Sequence, residues 1–341
     1  MVTIIGGGIA GTVLAGALAR AECAVTVYES QPTVGAGAFL VLDGRAHAAL
    51  AGLGVSLDEL RAASHPLVGL RADDLPGPGP SADADRRLYL RADLMRVLAE
   101  FATDTKAELH YDTTVTDVDT VTGTIFSGDT SLPADEVIVA ADGIDSLARR
   151  RLEPDRTAEY AGQIVVYGIT ERPVQPHTDP SVLHFHRRID ENGRPTTTFG
   201  HFWNDTVAVW FIRLTRQELA VHDIGFQPVG RWTEPIAAGA AADPGLVAAM
   251  LAATDTVHVS NARTVPLATA RAPQPPVILC GDADHAITPA AGVGARDAIE
   301  DAAALYAALV SGGAPATAMT ERRRQILTER AQAARMFRTA T

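Results

Sequence analysis

The start of the chain alternates between short apolar runs and one helical pattern. Residues 2–5 form a continuous apolar run, which is typical of a strand buried in a parallel sheet, and residues 24–28 form a second one. Between them, residues 6–21 begin with three glycines and continue with helical periodicity. This order predicts a strand–helix–strand unit. Similar patterns predict helices at 45–53, 91–102, 294–310 and 317–338, and strands at 115–118, 124–126, 136–141 and 277–280.

The pattern changes between residues 160 and 232. Four segments there alternate between apolar and polar positions, as half-buried antiparallel strands do. They are residues 163–169, 181–186, 196–202 and 206–214. The region also holds 10 of the chain's 18 aromatic residues. We therefore expect a second layer built on a mostly antiparallel sheet, and a loop rich in Pro, Gly and Asp at 72–85.

Composition sets the size and the class of the fold. A length of 341 residues corresponds to about two domains, and an apolar fraction of 47% supplies their cores without disulfides or metal ions. With the patterns above, this predicts an α/β fold, in which a Rossmann-like domain is joined to a second domain on a mostly antiparallel sheet. The net charge of −12 repels nucleic acid and anionic bilayers, so neither is an expected partner.

Two further features bear on location. The most apolar stretch, residues 235–254, is interrupted by Asp243 and Pro244, so no membrane span is expected. Cys23 and Cys280 each lie in or beside apolar runs and resemble buried core thiols. With no basic region ahead of the first apolar run, we expect no secretory signal and a cytoplasmic protein.

The glycines of the first turn have the spacing Gly6-x-Gly8-x-x-Gly11. The first glycine permits a tight turn, the second lets a pyrophosphate approach the backbone, and the third lets helix and strand pack closely. The helix that begins near Ile9 and Ala10 offers free N–H groups and a partial positive charge to that pyrophosphate. This spacing predicts a dinucleotide-binding turn.

An acidic residue supports the same prediction. Glu29 ends the second predicted strand and follows Gly11 by 18 residues, close to the ~20 expected for an acid that accepts hydrogen bonds from ribose hydroxyls. The strand, turn, helix and acid together predict a dinucleotide site, although they do not separate NAD from FAD.

A second motif lies near the other end of the chain. Asp282 follows the predicted buried strand at 277–280, so it lies at the carboxyl end of that strand. Open α/β sheets bind their ligands at this edge. A loop through Pro289, Gly292, Val293 and Gly294 then leads into a helix. The positive end of that helix suits the electron-rich atoms of a flavin ring.

Taken together, these motifs resemble the single-component FAD-dependent aromatic hydroxylases of the para-hydroxybenzoate hydroxylase type. The residues that carry the resemblance are Gly6-x-Gly8-x-x-Gly11 with Glu29, Asp142-Gly143-x-x-Ser146-x-x-Arg149, Gly281-Asp282-Ala283-x-His285, Pro289-x-x-Gly292-x-Gly294 and Glu300-Asp301-Ala302. The resemblance implies that Asp282 holds the ribitol chain, that Arg91 contacts the diphosphate region of FAD, and that Asp142 and Gly143 serve both FAD and NAD(P)H.

The resemblance also implies an organisation and a reaction. Residues 1–65, 88–158 and 262–341 would form a glutathione-reductase-like FAD-binding domain, and residues 66–87 and 159–261 a substrate-binding sheet domain. NAD(P)H would reduce FAD, and O₂ would then form a flavin C4a-hydroperoxide that hydroxylates or epoxidises an aromatic or polyketide-like small molecule. At one position the chain departs from the family, since Arg296 stands where Asn is common. We predict that this cation raises the reduction potential of the flavin.

The predicted sheet domain supplies candidates for the substrate site. His184, His186 and His201 are predicted to orient the substrate or act as a general base, in preference to binding a metal ion. The predicted pocket wall consists of aromatic residues, of which strand alternation allows about half to face the pocket. They are Tyr167, Phe185, Phe199, Phe202, Trp203 and Trp210. His285 has two open roles, a loop-ordering hydrogen bond or a direct role near the flavin.

Other interpretations remain open at this stage. An NAD-dependent dehydrogenase explains the first glycine motif and leaves Asp282 unassigned. A flavoenzyme of the same scaffold with Baeyer–Villiger or redox-neutral chemistry would differ from the monooxygenase in substrate geometry alone. A non-catalytic flavin- or metabolite-binding protein would share the cofactor motifs. The arginines at 321–338 are predicted to lie on a solvated helix.

Overall fold

The structure is a computed structural model that describes residues 1–32, 37–73, 85–191, 193 and 195–339. Most of the loop predicted at 72–85 lies outside these residues. The strands are β1 (Val2–Ile5), β2 (Val25–Tyr28), β3 (Phe39–Leu42), β4 (His65–Pro66), β5 (Gly69–Ala72), β6 (Arg87–Leu90), β7 (Glu108–His110), β8 (Asp117–Val118), β9 (Ile125–Ser127), β10 (Thr130–Leu132), β11 (Val137–Ala140), β12 (Glu159–Ile169), β13 (Val182–Ile189), β14 (Pro195–Trp203), β15 (Ala208–Thr215), β16 (Gly225–Pro228), β17 (Thr256–Thr264) and β18 (Val277–Leu279). The helices are α1 (Ile9–Arg20), α2 (Gly44–Leu53), α3 (Leu57–Ala62), α4 (Arg91–Asp104), α5 (Leu147–Leu152), α6 (Thr233–Gly239), α7 (Pro244–Ala252), α8 (Asp282–His285), α9 (Gly294–Val310) and α10 (Pro315–Thr339).

A parallel sheet of five strands, in the order β18-β11-β1-β2-β7, forms the centre of the α/β part. Because all five strands run the same way, the residues that follow them meet at one edge of the sheet. Gly6, Glu29, Asp142 and Asp282 follow β1, β2, β11 and β18 in the sequence. The sheet therefore brings both predicted cofactor motifs to the same edge.

Buried side chains cover both faces of this sheet. One apolar cluster joins α1, α2, α4 and α9 to the strands, with residues such as Val13, Leu98 and Ile299 completely buried. A second cluster joins the opposite face to α5 and to the small antiparallel sheet β10-β9-β8 through Ile125 and Ala148. The near-continuous apolar strands β1 and β11 are explained by this coverage on both sides.

A second sheet has seven strands in the order β16-β17-β12-β15-β14-β13-β5, and all its pairs are antiparallel except β13 with β5. Its two faces bury different partners. The helix-covered face carries Val166, Trp210 and Ile212, which pack beneath α6 and α7. The aromatic face carries Tyr167 and Phe211, which pack with residues of the small sheet β3-β6-β4.

These observations confirm the predicted fold class, and the proposed domain boundaries stay a prediction. The most apolar stretch of the sequence forms α6 and α7 on the helix-covered face. Within the described ranges, no helix is long and apolar enough to cross a membrane.

The last helix differs from its predicted character. Helix α10 forms as expected, but Arg322 and Arg323 point inward and are buried. Arg323 donates to both carboxylate oxygens of Asp284 at 2.7 Å, and Arg322 donates to Asp301 at 3.0 Å. The prediction of a solvated helix is therefore wrong for these two arginines, because two acids distant in sequence neutralise them.

Candidate functional site

The glycine turn between β1 and α1 gives each glycine a separate steric role. Gly6 has a φ of +101°, in the left-handed region, and a Cβ there would collide with the backbone after β11. A Cβ on Gly11 would collide with the carbonyl oxygen of Gly6, whereas Gly8 has no atom within 4 Å of that position. Helix α1 begins without a side-chain cap, so the N–H groups near Ile9 and Ala10 are open to a ligand.

Glu29 lies beside this turn at the end of β2. Its Oε2 accepts the N–H of Gly7 at 2.6 Å, and its Oε1 accepts the N–H of Gln31 at 2.7 Å. Two backbone donors thus fix the carboxylate next to the turn. This is the position from which it can accept a further hydrogen bond from a ribose hydroxyl.

A cleft of about 340 Å³ opens along this edge. It is lined by Ile5, Gly6, Gly8, Tyr28, Glu29, Ser30, Thr113, Thr114, Val115, Ala141, Asp142, Gly143, Asp145 and Leu147. The Oδ2 atom of Asp142 accepts the N–H groups of Leu147 at 2.7 Å and Ala148 at 3.2 Å. Its Oδ1 atom is buried and has no hydrogen-bond partner among the described residues. A buried acceptor without a donor costs about 1–3 kcal/mol, which favours a ligand donor in this cleft.

Asp282 and Arg91 lie deep in the molecule, yet both remain accessible. Burial raises the pKa of the Asp282 carboxyl. Burial also lowers the pKa of Arg91, and the negative charge of Asp282 partly offsets that decrease. Even so, Asp282 is exposed to solvent and Arg91 is partly exposed. Residues that line a deep, open cleft combine these two properties. Neither side chain forms a hydrogen bond with any other described residue, which leaves both available to a ligand.

The second predicted loop lies beside Asp282. A 3-10 turn that begins at Pro289 ends at Gly292, which has a φ of +65°. Helix α9 then starts at Gly294, and no side chain caps it at Val293. A Cβ on Gly294 would lie 3.9 Å from Oδ1 of Asp282. The uncapped positive end of α9 is therefore next to the Asp282 carboxylate.

Two buried contacts hold the Asp282 loop in place. The Nε2 atom of His285 and the N–H of Gly281 both bond Oδ2 of Asp301, at 2.6 Å and 3.0 Å. Of the two open roles for His285, the structure shows the loop-ordering hydrogen bond. Arg149 donates to the carbonyl oxygens of Ala283 at 2.7 Å and Ile144 at 2.5 Å, so it ties the Asp282 loop to the Asp142 segment.

Arg296 is surrounded by carboxylates. It pairs with Asp43 at 3.2 Å, with Asp297 at 3.1 Å and with Glu329 at 3.2 Å. These partners offset its positive charge. Its influence on the flavin stays a prediction, and the expected effect is smaller than that of an unpaired cation.

The aromatic face presents a group of packed rings. The Tyr167 ring lies 5.7 Å from the ring of Phe39 and 6.3 Å from that of Phe211. Burial raises the pKa of Tyr167 to about 12, so its hydroxyl stays protonated. His258 pairs with Tyr167 across β17 and β12, and its buried Nδ1 atom has no hydrogen-bond partner in the described part of the chain. Burial lowers the pKa of His258, and the charge of Arg91 lowers it further.

The predicted wall residues divide between the two faces of the sheet. Tyr167, Phe185 and Phe202 belong to the cluster of the aromatic face. Phe199, Trp203 and Trp210 belong to the cluster beneath α6 and α7 and form core there. The even division follows the expectation that about half of the six would be core, because a strand turns alternate side chains to opposite faces.

The three predicted histidines also lie on the helix-covered face. His201 pairs in register with His184 on β13 and with Trp210 on β15. Residues paired in register point to the same face of a sheet, so His201 and His184 lie on the face of Trp210. The ring of His201 stacks on those of His184 at 4.9 Å and His186 at 5.2 Å. This face points away from Tyr167 and His258, so the structure does not bring these histidines to the candidate site. In the described residues, no group of His, Cys, Asp or Glu is arranged to hold a metal ion.

Sequence reasoning missed three residues of the aromatic face. They are Phe39, Phe211 and His258. Phe211 follows Trp210 in the same predicted strand, so alternation alone placed it opposite the tryptophan. His258 lies on β17, whose mixed polar sequence carried no clear strand signal.

The residues of the cofactor edge fit an elongated dinucleotide such as FAD. At one end, the open surface at Gly8 and the acceptor at Glu29 suit a pyrophosphate and a ribose. The unpaired Oδ1 of Asp142, the accessible Asp282 and the uncapped end of α9 continue along the same edge. Unsatisfied donors and acceptors thus follow one line from the first turn to the second loop.

Comparison with known proteins agrees with this fit. Residues 1–334 match the family model of the FAD binding domain. A kynurenine 3-monooxygenase of Salinispora arenicola is 27% identical over 200 residues, covering 52% of this chain and 43% of that protein. A kynurenine 3-monooxygenase of Salinispora tropica is 25% identical over 360 residues, covering 93% of this chain and 74% of that protein.

A solved structure shows the same fold. HpxO of Klebsiella pneumoniae, in complex with FAD and uric acid, superposes with a TM-score of 0.73 at 20% identity, over 95% of this chain and 84% of that one. The matches confirm the predicted resemblance and FAD as the cofactor. The chain belongs to the FAD binding domain family.

Proposed function

We propose that this chain is an NAD(P)H-dependent monooxygenase that uses O₂ to hydroxylate or epoxidise a small aromatic or polyketide-like molecule. The observation that carries the proposal is the position of Arg91, whose charge acts on the carboxyl of Asp282 and which directly follows Leu90, the partner in register of Phe39 on the aromatic face. The cofactor edge and the aromatic face therefore meet at Arg91. A reacting ring placed there would have the flavin on one side and the aromatic face on the other.

Bound FAD would supply the redox chemistry, accepting a hydride from NAD(P)H and activating O₂. The chain's own residues would bind and orient it. The N–H groups at the start of α1 would hold the pyrophosphate, and Asp282 would accept a hydrogen bond from the ribitol chain. The uncapped end of α9 would stabilise negative charge on the reduced ring.

The aromatic face would provide a dry and oriented substrate site. Phe39, Tyr167 and Phe211 pack together and would exclude water from the region next to the cofactor. Activated oxygen would then reach the substrate and would not be lost as hydrogen peroxide. The unpaired Nδ1 atom of His258 offers a hydrogen bond to a substrate polar group. In the same proposal, residues 1–65, 88–158 and 262–341 form the FAD-binding domain, and residues 66–87 and 159–261 the substrate domain.

Turnover of the FAD-loaded protein tests this function. NAD(P)H oxidation is measured with and without a panel of phenols and polyketides. The panel includes kynurenine, after the Salinispora enzymes, and uric acid, which HpxO binds. We expect at least one compound to accelerate the oxidation and to gain one ¹⁸O atom from ¹⁸O₂. If no compound accelerates reduction of the bound flavin, the protein binds FAD without turnover and the proposal is wrong. Oxygen inserted beside a ketone would instead indicate Baeyer–Villiger chemistry.

A further inference from the structure

Arg330 on α10 joins the Asp282 loop to the start of α9. Its Nη2 atom donates to the carbonyl oxygen of His285, at the end of that loop, at 2.8 Å. The same atom lies 3.6 Å from Oδ2 of Asp297, which belongs to the first turn of α9. One guanidinium of the last helix therefore bridges the two elements that follow β18 at the cofactor edge.

Asp297 places a negative charge where the cofactor edge needs a positive one. Its side chain is only 3% exposed, so water screens its charge weakly. An acid in the first turn of a helix is attracted to the positive helix end, and it reduces the positive potential that this end offers to another anion. Burial is the main cause of the raised pKa of Asp282; the charge of Asp297 adds to it and the charge of Arg330 opposes it. Asp297 and Arg330 thus act on the cofactor edge with opposite signs.

Two arginines compensate Asp297, and they differ in their other partners. Arg296 divides its charge between Asp297, Asp43 and Glu329. In the ranges that the structure describes, Arg330 forms an ion pair with Asp297 alone. Its Nε atom is buried and has no hydrogen-bond partner in those ranges. The charge of Arg330 is therefore the one that is committed to Asp297.

We propose that Arg330 is a positioning residue for the reduction of FAD, because it neutralises Asp297 and holds the Asp282 loop against α9. A hydride from NAD(P)H brings two electrons and one proton to the neutral ring, leaves NAD(P)⁺, and gives the ring one negative charge. Reduced FAD therefore gains more than oxidised FAD from the positive end of α9, which Arg330 keeps available. The last helix thereby takes part in setting the reduction potential. This inference rests on the proposed placement of FAD along the cofactor edge.

The midpoint potential of the bound FAD tests the inference, measured by anaerobic titration against a reference dye. We expect Arg330→Gln to weaken the binding of reduced FAD about tenfold relative to oxidised FAD, which is about 30 mV toward more negative potential for a two-electron couple. Arg330→Lys keeps the charge and should retain most of the wild-type potential. Arg324→Gln is the control and should leave the potential unchanged, because Arg324 is exposed on the same helix and pairs with the exposed Glu321.

The partner carboxylate supplies a test of opposite sign. Asp297→Asn removes a negative charge and should shift the potential to more positive values, and the double variant with Arg330→Gln should return close to the wild type. A purely structural role of Arg330 predicts no such compensation. Where Arg330→Gln does not fold, Arg330→Lys and Asp297→Asn decide. An unchanged potential in Arg330→Gln, a potential that does not rise in Asp297→Asn, or a double variant as low as Arg330→Gln would overturn the inference.

These results are distinguishable from failure of the proposed function. A protein that does not bind FAD contradicts both statements. A protein that binds FAD and oxidises NAD(P)H in response to a substrate, but whose potential does not respond to Arg330→Gln, contradicts the Arg330 inference alone. The expected shifts in a protein that no compound activates would contradict the proposed turnover and support the inference.

Discussion

The Nε2 atom of His285 lies 2.6 Å from Oδ2 of Asp301, and both side chains are almost completely buried. The same oxygen accepts the N–H of Gly281, and the other oxygen of Asp301 pairs with Arg322. The pair raises the pKa of His285 against its burial and lowers the pKa of Asp301 against its own burial. Because Gly281 directly precedes Asp282, this contact fixes the loop that presents the carboxylate to the cofactor edge.

Removal of Asp301 should therefore affect both folding and FAD. We expect Asp301→Ala to lower the free energy of unfolding by about 3–5 kcal/mol, since it leaves His285 buried without its partner and removes one of the two carboxylates that pair with Arg322. FAD affinity should fall too, because Gly281 loses its acceptor. Glu321→Gln is the control and should leave the free energy of unfolding unchanged, since Glu321 is exposed and pairs with the exposed Arg324. Urea unfolding and FAD titration measure both effects, and an unchanged unfolding free energy in Asp301→Ala would contradict this account.

Asp282 should control FAD affinity without holding the fold. Replacement by Ala leaves a buried hydroxyl of the cofactor unpaired, at a cost of about 1–3 kcal/mol, or roughly 5- to 150-fold in affinity. Asp282→Asn keeps an acceptor and should lose less, and Asp205→Ala, at an exposed position, should lose nothing. Fluorescence titration with FAD gives the order of the three variants. Equal affinity in Asp282→Ala and the wild type would remove Asp282 from the site.

The second and third glycines of the turn should separate binding from stability. Gly8→Ala has space for its methyl group, so the ligand-free protein should melt at the wild-type temperature while FAD binding weakens, because the methyl group occupies the phosphate approach. Gly11→Ala forces its methyl group against the carbonyl of Gly6 and should cost about 1–3 kcal/mol of stability. Melting curves with and without FAD test the contrast. Similar behaviour of the two variants would argue against distinct roles.

His201 should make the fold sensitive to acid. Burial, with the neighbouring His184 and His186, lowers the pKa of His201 to about 3. In the unfolded chain, the imidazole of this histidine has an ordinary pKa near 6.5, so it takes up a proton at a higher pH than in the folded protein. The free energy of unfolding therefore decreases progressively as the pH falls from about 6.5 toward 3. His201→Gln should reduce the loss of stability between pH 7.5 and pH 5 by about 1–2 kcal/mol. The exposed His222, changed to Gln, serves as the control. An equal loss in wild type and His201→Gln would show that another group titrates.

The cofactor edge was predictable because its signals are local. Apolar runs identified β1 and β11 as buried strands, and glycine spacing identified the turn before α1. The sheet domain was less predictable, since an alternating strand gives the same pattern whichever face meets the cofactor. His201 and Phe211 lie in strands that were predicted. Tertiary packing alone decides that His201 lies on the helix-covered face and Phe211 on the aromatic face.

Charged residues gave the weakest signals, because their partners are distant in sequence. Arg323 is neutralised by Asp284, 39 positions away, and nothing local distinguishes it from a solvated arginine. Arg330 donates to the carbonyl oxygen of His285, 45 positions away, and this contact appears only when α10 packs against the Asp282 loop. Helical spacing places Arg330 on the same side of α10 as Arg323, and this shared side could have been anticipated.

The turn at Gly6–Gly11 and the loop at Asp282 should bind one FAD molecule between them. The most direct measurement is the visible absorbance of the wild-type protein after incubation with FAD and exhaustive dialysis, with Gly8→Ala and Asp282→Ala measured alongside. We expect a yellow protein with one FAD per chain and a reduced FAD content in each variant. A colourless wild-type protein, or variants that retain FAD as firmly as the wild type does, would contradict it.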